Sequence, residues 1–254
     1  MQLSFGAGAL WGNRTDAIGS GIGPDQFAIL QDVQIDWDWT TKELWGQFQF
    51  PVDIARGQGK ITGKAKFARI FGAIYGDLFF GQTPASGQLT VAENEAATVP
   101  ATTPYTLAVA NAATYADDLG VYYASGSAAG NRFTRVTTPA AAGQYSVNPA
   151  TGIYTFAAAD ASSALLVSYL YTSTAGKKLV LTNQLIGVTP TFKATFYTTK
   201  TTGGVPAGLA LVLNACTATK LSLPTRIDDY EIQEFDFSAF ADATGAIGTL
   251  SVNE

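Results

Sequence analysis

Apolar and polar residues alternate along much of this chain, which is the pattern of half-buried β-strands. In the segment VQIDWDW, residues 33–39, large apolar side chains alternate with acidic or amide ones. Because successive side chains of a strand point to opposite faces, one face of this segment is apolar and the other is polar and acidic. Strands are predicted over residues 27–39, 44–50 and 59–67, with a turn at TTKE and a break at Pro51 and ARGQG.

One segment has helical spacing instead. Between residues 67 and 79, apolar side chains recur at intervals of three and four: Phe67, Ile70, Phe71, Ile74, Tyr75, Leu78 and Phe79. This spacing predicts a helix over residues 67–80 that buries one broad face in the core, with Gly81 as its C-terminal cap. Gly72 and Gly76 lower the helix propensity by about 1 kcal/mol each relative to alanine, and such glycines are kept where a helix lies close against a sheet.

The middle of the chain, residues 84–176, differs in composition from both ends. It is rich in Ala, Thr, Ser and Tyr, has few charges, and contains short strand patterns separated by turn signals: GQYSV, IYTFA and ALLVSYLYT. We interpret it as a small all-β module inserted into a body formed by residues 1–83 and 177–254. In the second part of the body, KKLVLTN and three longer segments have strand patterns. The glycine-rich residues 1–25 and the C-terminal TGAIGTLSVNE are predicted to be arms. The expected fold class is α+β, mostly β.

Composition bears on the role of the protein. Charged residues make up 14% of the chain, against about 25% in an average soluble domain. A subunit that hides much of its surface against copies of itself needs less charge than a lone monomer. The low charge therefore favours an assembly protein, with a surface of Ala, Thr and Ser as the alternative explanation.

The sequence offers little for catalysis. It has no histidine and a single cysteine, Cys216, whose alternating apolar context predicts a buried structural thiol. Acid pairs such as Asp36 and Asp38 lie on a strand face that is predicted to be solvated, and we predict no catalytic residue, no metal ligand and no cofactor site. The chain is therefore not expected to be an enzyme. A net charge of −5 argues against a protein that binds nucleic acid tightly.

Three lysines share one face of the strand predicted at residues 59–67: Lys60, Lys64 and Lys66. They could form a basic stripe for phosphates, pair with acids nearby, or contact the acids of a neighbouring copy. The preceding GQGK is followed by Ile61, where a phosphate-binding P-loop requires Ser or Thr. A phosphate-binding loop is therefore not predicted.

Two segments together resemble a known family. VQIDWDWTTKELWGQFQFPVDIARGQGKITGKAKFARIFGAIYGDLFFGQT, followed much later by DDYEIQEFDFSAFADATGAIGTLSVNE, is similar to the major tail tube protein of long-tailed, siphovirus-type bacteriophages. The resemblance covers roughly residues 1–83 and 177–254. The middle region is similar to small immunoglobulin-like β modules of phage tail structural proteins.

This resemblance implies a fold and a function. The fold would be a β-sandwich or partial barrel with one flanking helix and an inserted module. Copies would join into hexameric rings that stack into a tail tube, a conduit for the tape measure protein and for DNA during ejection. Further partners would be the tail terminator and tail-tip proteins. The protein would belong to the virion and be assembled in the host cytoplasm, without membrane insertion, and the family has no active site to carry over.

The resemblance also suggests roles for particular residues. The polar row of the first long strand would face the lumen, where an acidic lining repels DNA and keeps it moving: Asp32, Gln34, Asp36 and Asp38. An outer solvent face, or a neighbouring subunit's lysines, is the alternative environment for this row. Contacts between subunits are expected at Leu10 and Trp11 of the N-terminal arm, and at Lys60, Lys64 and Lys66.

A second function stays open at this point, namely a tail-tip or carbohydrate- and receptor-binding β module. Eight tyrosines crowd the inserted region and could stack on sugars: Tyr105, Tyr115, Tyr122, Tyr123, Tyr145, Tyr154, Tyr169 and Tyr171. Packing between strands is the other role that tyrosines of this kind serve.

Overall fold

The computed structural model describes residues 6–16, 23–69, 72–202, 205–225 and 227–252. The chain divides into two compact units: unit 1 is Met1–Pro84 with Leu179–Glu254, and unit 2 is Ala85–Lys178. The boundaries expected from composition, at residues 83/84 and 176/177, lie beside these. The predicted class, α+β and mostly β, is confirmed.

The described residues form fifteen strands. In chain order they are β1 (Ala9–Arg14), β2 (Asp25–Gln26), β3 (Leu30–Trp45), β4 (Pro51–Phe67), β5 (Ala85–Thr98), β6 (Thr106–Ala108), β7 (Tyr115–Tyr123), β8 (Thr134–Arg135), β9 (Gln144–Asn148), β10 (Ile153–Phe156), β11 (Ala164–Lys178), β12 (Phe192–Thr202), β13 (Val205–Ser222), β14 (Gln233–Phe240) and β15 (Gly248–Val252). One helix, Ile74–Phe80, follows β4, and single 3-10 turns lie at Ala112–Thr114 and Ala158–Asp160.

Unit 1 is built on one sheet of eight antiparallel strands. Its order is β2-β1-β12-β13-β14-β4-β3, and β15 pairs with β13 beside this row. One face of the sheet packs with the helix on a core rich in phenylalanine. Phe27 meets both Phe67 and Phe235 edge to face, with ring centroids 5.3 Å apart in each pair. The apolar face of the first long strand points to this core, since Val33 and Ile35 pack against it.

The helix is shorter than the apolar spacing predicted. Phe67 is not part of it, because the sheet pairing of β4 continues as far as that residue, and the π-helical segment is Ile74–Phe80. Ile74 and Leu78 are buried, and Tyr75 and Phe79 pack against the same core. Ile70 and Phe71, also expected on this helix, lie outside the described residues. The predicted cap is confirmed: Gly81 has a left-handed backbone with φ of 64° and donates its N–H to the carbonyl of Gly76.

Both predicted arms contain strands of the sheet of unit 1. Residues 9–14 form β1, which pairs with β12 along its whole length, and residues 248–252 form β15 on β13. The glycines had suggested flexible segments, but the backbone groups of these residues are used in sheet ladders. By contrast, the strand predicted at KKLVLTN is not formed: within this segment only Lys177 and Lys178 belong to a strand, the end of β11.

The first two long strands form a longer hairpin than predicted. β3 runs through the expected TTKE turn to Trp45, and β4 starts at Pro51 and runs through ARGQG without a break. The turn lies instead at residues 46–50. β14 pairs with β4 only from residue 61 onward, so the outer half of the hairpin extends beyond β14.

Unit 2 is an all-β module of two sheets. One has the order β5-β11-β7 and the other β6-β10-β9-β8, in which β8 and β9 run parallel. Side chains from both sheets form one core, among them Tyr145, Tyr154, Val167 and Tyr169. Its immunoglobulin-like character stays a prediction. In the described parts of the two units, no helix has the length and apolar character needed to cross a membrane.

Candidate functional site

A charged face covers the side of the unit 1 sheet that points away from the core. The register of β3 and β4 places Asp32 opposite Lys66, Gln34 opposite Lys64 and Asp38 opposite Lys60. All the members of the expected polar row are exposed, on the face opposite Val33 and Ile35. The row expected in the lumen and the lysines expected at subunit contacts therefore lie together on one surface.

Charge on this face alternates from strand to strand. Acids of β3 lie beside lysines of β4, which lie beside Glu234 and Asp236 of β14, which lie beside Lys220 of β13. The charged face is defined by these residues: Asp32, Gln34, Asp36, Asp38, Lys60, Lys64, Lys66, Lys220, Glu234 and Asp236. Opposite charges on neighbouring strands attract, so the pattern stabilises this strand order within a single chain.

Glu234 lies at the centre of the charged face. Its carboxylate is 3.5 Å from the Nζ atoms of both Lys64 and Lys220, and 3.9 Å from that of Lys66. Partial desolvation acts to raise the pKa of Glu234, but the charges and hydrogen bonds of Lys64 and Lys220 outweigh it and lower that pKa below its ordinary value. Lys64 and Lys66 of β4 thus already have an acidic partner in their own chain.

The outer half of the β3–β4 hairpin carries an unusual set of side chains. Phe48 is 73% exposed and Phe50 79% exposed, and large apolar residues on both strands beside them are also exposed. We define the hairpin tip as residues 44–54, whose exposed apolar side chains are Leu44, Trp45, Phe48, Phe50, Val52 and Ile54. Monomeric proteins seldom expose this many large apolar side chains within one short segment, and such segments mark sites of association.

The two N-terminal residues expected at subunit contacts have different environments. The side chain of Leu10 is 1% exposed and packs in the core of its own unit. Trp11 lies on the opposite face of β1, half-buried, and its cross-strand neighbours are Thr195 and Gln26. Of the two residues, only Trp11 has accessible surface for another molecule.

The tyrosines of unit 2 are engaged within that unit. None of the eight is exposed, and several donate their hydroxyls to carboxylates. Tyr145 and Tyr154 both donate to Asp118, at 2.6 and 2.9 Å, and Tyr169 donates to Glu95 at 2.6 Å. Burial, with the adjacent Asp118 carboxylate, raises the pKa of Tyr145 above its ordinary value. The hydroxyls of Tyr145, Tyr154 and Tyr169 therefore hold strands of the module together.

The groups suited to catalysis are scattered or inaccessible. Cys216 is fully buried, and burial raises the pKa of its thiol to about 12, although a backbone hydrogen bond at Ala194 acts in the opposite direction. Among the described residues, no group of three or more acids and cysteines is arranged to hold a metal ion. The buried position predicted for Cys216 is confirmed.

Two surfaces were not anticipated from the sequence. One is the hairpin tip, because Pro51 and the glycines after it are typical of a break between strands. The other is a loop of residues 179–191 that exposes Leu181, Leu185 and Ile186. Its LVL segment has the pattern of a strand, and only the structure shows that these side chains lie on the surface.

Comparison with known proteins adds no family to this description. No protein-family model matches the chain, and no significant relative is found among curated proteins.

Proposed function

We propose that this chain is a structural subunit of a bacteriophage tail tube. Copies join into hexameric rings, and the rings stack into a hollow tube through which the tape measure protein and then DNA pass. The hexamer and these passengers, as well as tail terminator and tail-tip partners and a place in the virion, come from the resemblance over residues 1–83 and 177–254. The chemistry of the surfaces supports self-association independently.

The observation that carries this proposal is the β3–β4 hairpin. Its tip exposes six large apolar side chains: Phe48 and Phe50 in the turn, and four on the two strands that extend beyond β14. Burying such residues against another copy is favourable by about 25 cal/mol for each Å² of apolar surface removed from water. Because only 14% of residues are charged, a monomer has few charged side chains to keep this exposed apolar surface soluble.

Open strand edges supply a second route to association. Among the described residues, β3 ends the sheet on one side. On the other side the two-residue β2 pairs with Trp11 and Gly12 of β1, beside a hydrogen bond from the N–H of Phe27 to the carbonyl of Leu10. Unpaired backbone groups at such edges are templates for strand addition. Head-to-tail contacts of this type close into rings, and rings that stack make an open filament.

The charged face is our candidate for the lining of the tube. A protein holds DNA where free lysine or arginine side chains neutralise phosphates and release the counterions condensed on the DNA. On this face Lys64, Lys66 and Lys220 are already paired with Glu234, and the acids of β3 add negative charge. A lining of this composition lets DNA pass without holding it.

Electron microscopy of the purified protein tests the proposal. We expect negatively stained wild-type protein to form long hollow rods. The double variant Phe48→Ser and Phe50→Ser is expected to fold normally, because neither side chain packs in the core, and to lose the rods. A matched control, Leu89→Ser with Val91→Ser, removes similarly exposed apolar residues from unit 2 and should keep them.

Discrete particles at every concentration of the wild-type protein would contradict the proposal. Rods formed equally well by the hairpin variant would show that the hairpin tip is not an assembly surface.

A further inference from the structure

Part of the core face of the unit 1 sheet is not covered by the described residues of its own chain. Trp37 lies opposite Ile61 in the register of β3 and β4, and both continue the row of side chains that begins with Val33 and Ile35. The helix covers the core at Ile74 and Leu78. Further along the sheet, the row opens into an apolar groove with a volume of about 330 Å³, lined by Trp37, Trp39, Ile61, Leu211, Ile247 and Leu250.

The lining of this groove is suited to an apolar occupant without charge. No charged residue lines it. Trp39 is 47% exposed and Leu250 56% exposed, although Arg56 lies over the Trp39 ring at 4.7 Å from its centroid. Large side chains in this position gain from burial, and a charged group placed among them would lose its hydration without a partner.

The same unit presents an apolar loop of matching character, residues 179–191. Its large apolar side chains are exposed, and Leu185 is 84% exposed. The loop has no charged residue between Lys178 and Lys193. The loop does not cover the groove of its own chain, since Trp39 and Leu250 of that groove are exposed.

The apolar loop is held in position at its base. Gln184 donates from Nε2 to the carbonyl oxygen of Phe80 at 3.1 Å, and Gln82 donates to the hydroxyl of Thr182. Within the loop, the backbone N–H of Val188 donates to the carbonyl of Leu185 and closes a turn. A fixed turn loses less conformational entropy on binding than a flexible segment does.

The hairpin tip is the competing occupant, and its charge pattern is less suitable. Asp53 lies within the tip, and Lys42 and Glu43 stand directly before it. Inserting that segment would bring charges toward an apolar groove at a cost in desolvation. The charge-free loop has no such cost.

We propose that the apolar loop of one copy inserts into the apolar groove of a neighbouring copy. This inference rests on the self-assembly proposed above and names one pair of surfaces that makes it. Because loop and groove are different parts of the chain, the contact is head-to-tail, and it repeats from copy to copy to give a ring or a filament.

Cross-linking between two full-length variants tests this contact. Ile186→Cys in the loop and Leu250→Cys in the groove are co-expressed and treated with a short bismaleimide. The native Cys216 is fully buried and does not interfere. We expect a covalent dimer of the two variants, and little cross-linking when Ile186→Cys is paired with Leu89→Cys of unit 2. Cross-linking of Leu250→Cys to Phe50→Cys in its place would assign the groove to the hairpin tip and overturn the inference.

A charge substitution gives a second readout. Ile186→Glu should raise the protein concentration needed for half-assembly about tenfold or more, because a carboxylate would be buried without a partner. The control Leu89→Glu should leave that concentration unchanged. If wild-type protein forms rods but Ile186→Glu assembles equally well, this contact is wrong while the proposed function stands. If wild-type protein stays monomeric at every concentration, both are wrong.

Discussion

At the scale of single residues, close packing holds the unit 1 sheet together more firmly than its charges do. The ion pairs around Glu234 are partly exposed, and solvent-exposed ion pairs contribute little to stability. By contrast, the ring of Phe237 is 1% exposed and lies over Gly63, its cross-strand partner on β4. A Cβ atom at Gly63 would come within 2.1 Å of that ring.

The substitution Gly63→Ala tests this close approach. The added methyl group must displace Phe237 from the core, and we expect the free energy of unfolding to fall by about 1–3 kcal/mol. Urea denaturation measures the change. Gly23→Ala is the matched control, since a Cβ atom there would meet nothing within 4 Å. Equal denaturation midpoints for the two variants would show that the ring can move aside at no cost.

Sequence patterns predicted the core-facing residues of some strands correctly and missed those of others. The strict alternation around Val33 and Ile35 identified the core face of β3 correctly, because a two-residue period has only one structural meaning. β1 gave no such signal. Its buried side consists of Leu10, Gly12 and Arg14, of which only one is a large apolar residue. A strand of this composition resembles a flexible arm until its partner β12 is known.

At the scale of elements, the lengths of strands were harder to predict than their existence. The outer half of the β3–β4 hairpin contains Thr40, Thr41, Lys42 and Glu43, which have no apolar alternation because neither face of it is covered. Its ladder is formed by backbone pairing, which leaves no trace in the hydrophobic pattern. The acidic row of β3 and the lysines of β4 were identified from the sequence, but their common face with Glu234 of β14 and Lys220 of β13 depends on long-range strand order.

The junction between β14 and β15 depends on one carboxylate. Asp242 accepts hydrogen bonds from the hydroxyl of Thr244 at 2.6 Å, from the backbone N–H groups of Thr244 and Ala246, and from Asn214 Nδ2 at 2.8 Å. Led by those from Thr244, these bonds lower the pKa of Asp242 from 3.8 to about 2. Because the folded-state pKa is depressed, the stabilisation is complete above the ordinary value and is lost as the pH falls through about 2.

We therefore expect the attachment of β15 to depend on Asp242. In wild-type protein, hydrogen-exchange protection of the β15 amides, normalised to intrinsic rates, should fall as the pH is lowered from 3.8 toward about 2. In Asp242→Asn it should already be low above this window and change little within it, since the amide cannot accept from Asn214 and Thr244 as the carboxylate does. Asp38→Asn, on the exposed face of β3, serves as the control. Protection at the wild-type level in Asp242→Asn would contradict this role.

At the scale of the whole molecule, the two units have separate cores. The core of unit 1 includes Phe67, Phe192 and Phe235, and the core of unit 2 includes Tyr145 and Val167, with no residue in common. The ends of unit 2 are also adjacent, because Ala85 and Lys178 are cross-strand partners of β5 and β11. A change of composition along the sequence indicated this insertion, but not that the hairpin tip, the charged face, the apolar loop and the apolar groove all belong to unit 1.

Removing unit 2 tests whether unit 1 alone is sufficient for assembly. In a variant that joins Pro84 to Leu179 through a short Gly-Ser linker, unit 1 should still fold, because the linker only has to span neighbouring strands. The hairpin tip, the charged face, the apolar loop and the apolar groove all remain, so we expect hollow rods with the same axial repeat and a lower mass per length in electron micrographs. Unit 2 alone, Ala85–Lys178, should unfold cooperatively as a monomer. A shortened variant with native circular dichroism that forms no rods would show that unit 2 contributes contacts between copies, because the fold would then be intact and only the assembly lost.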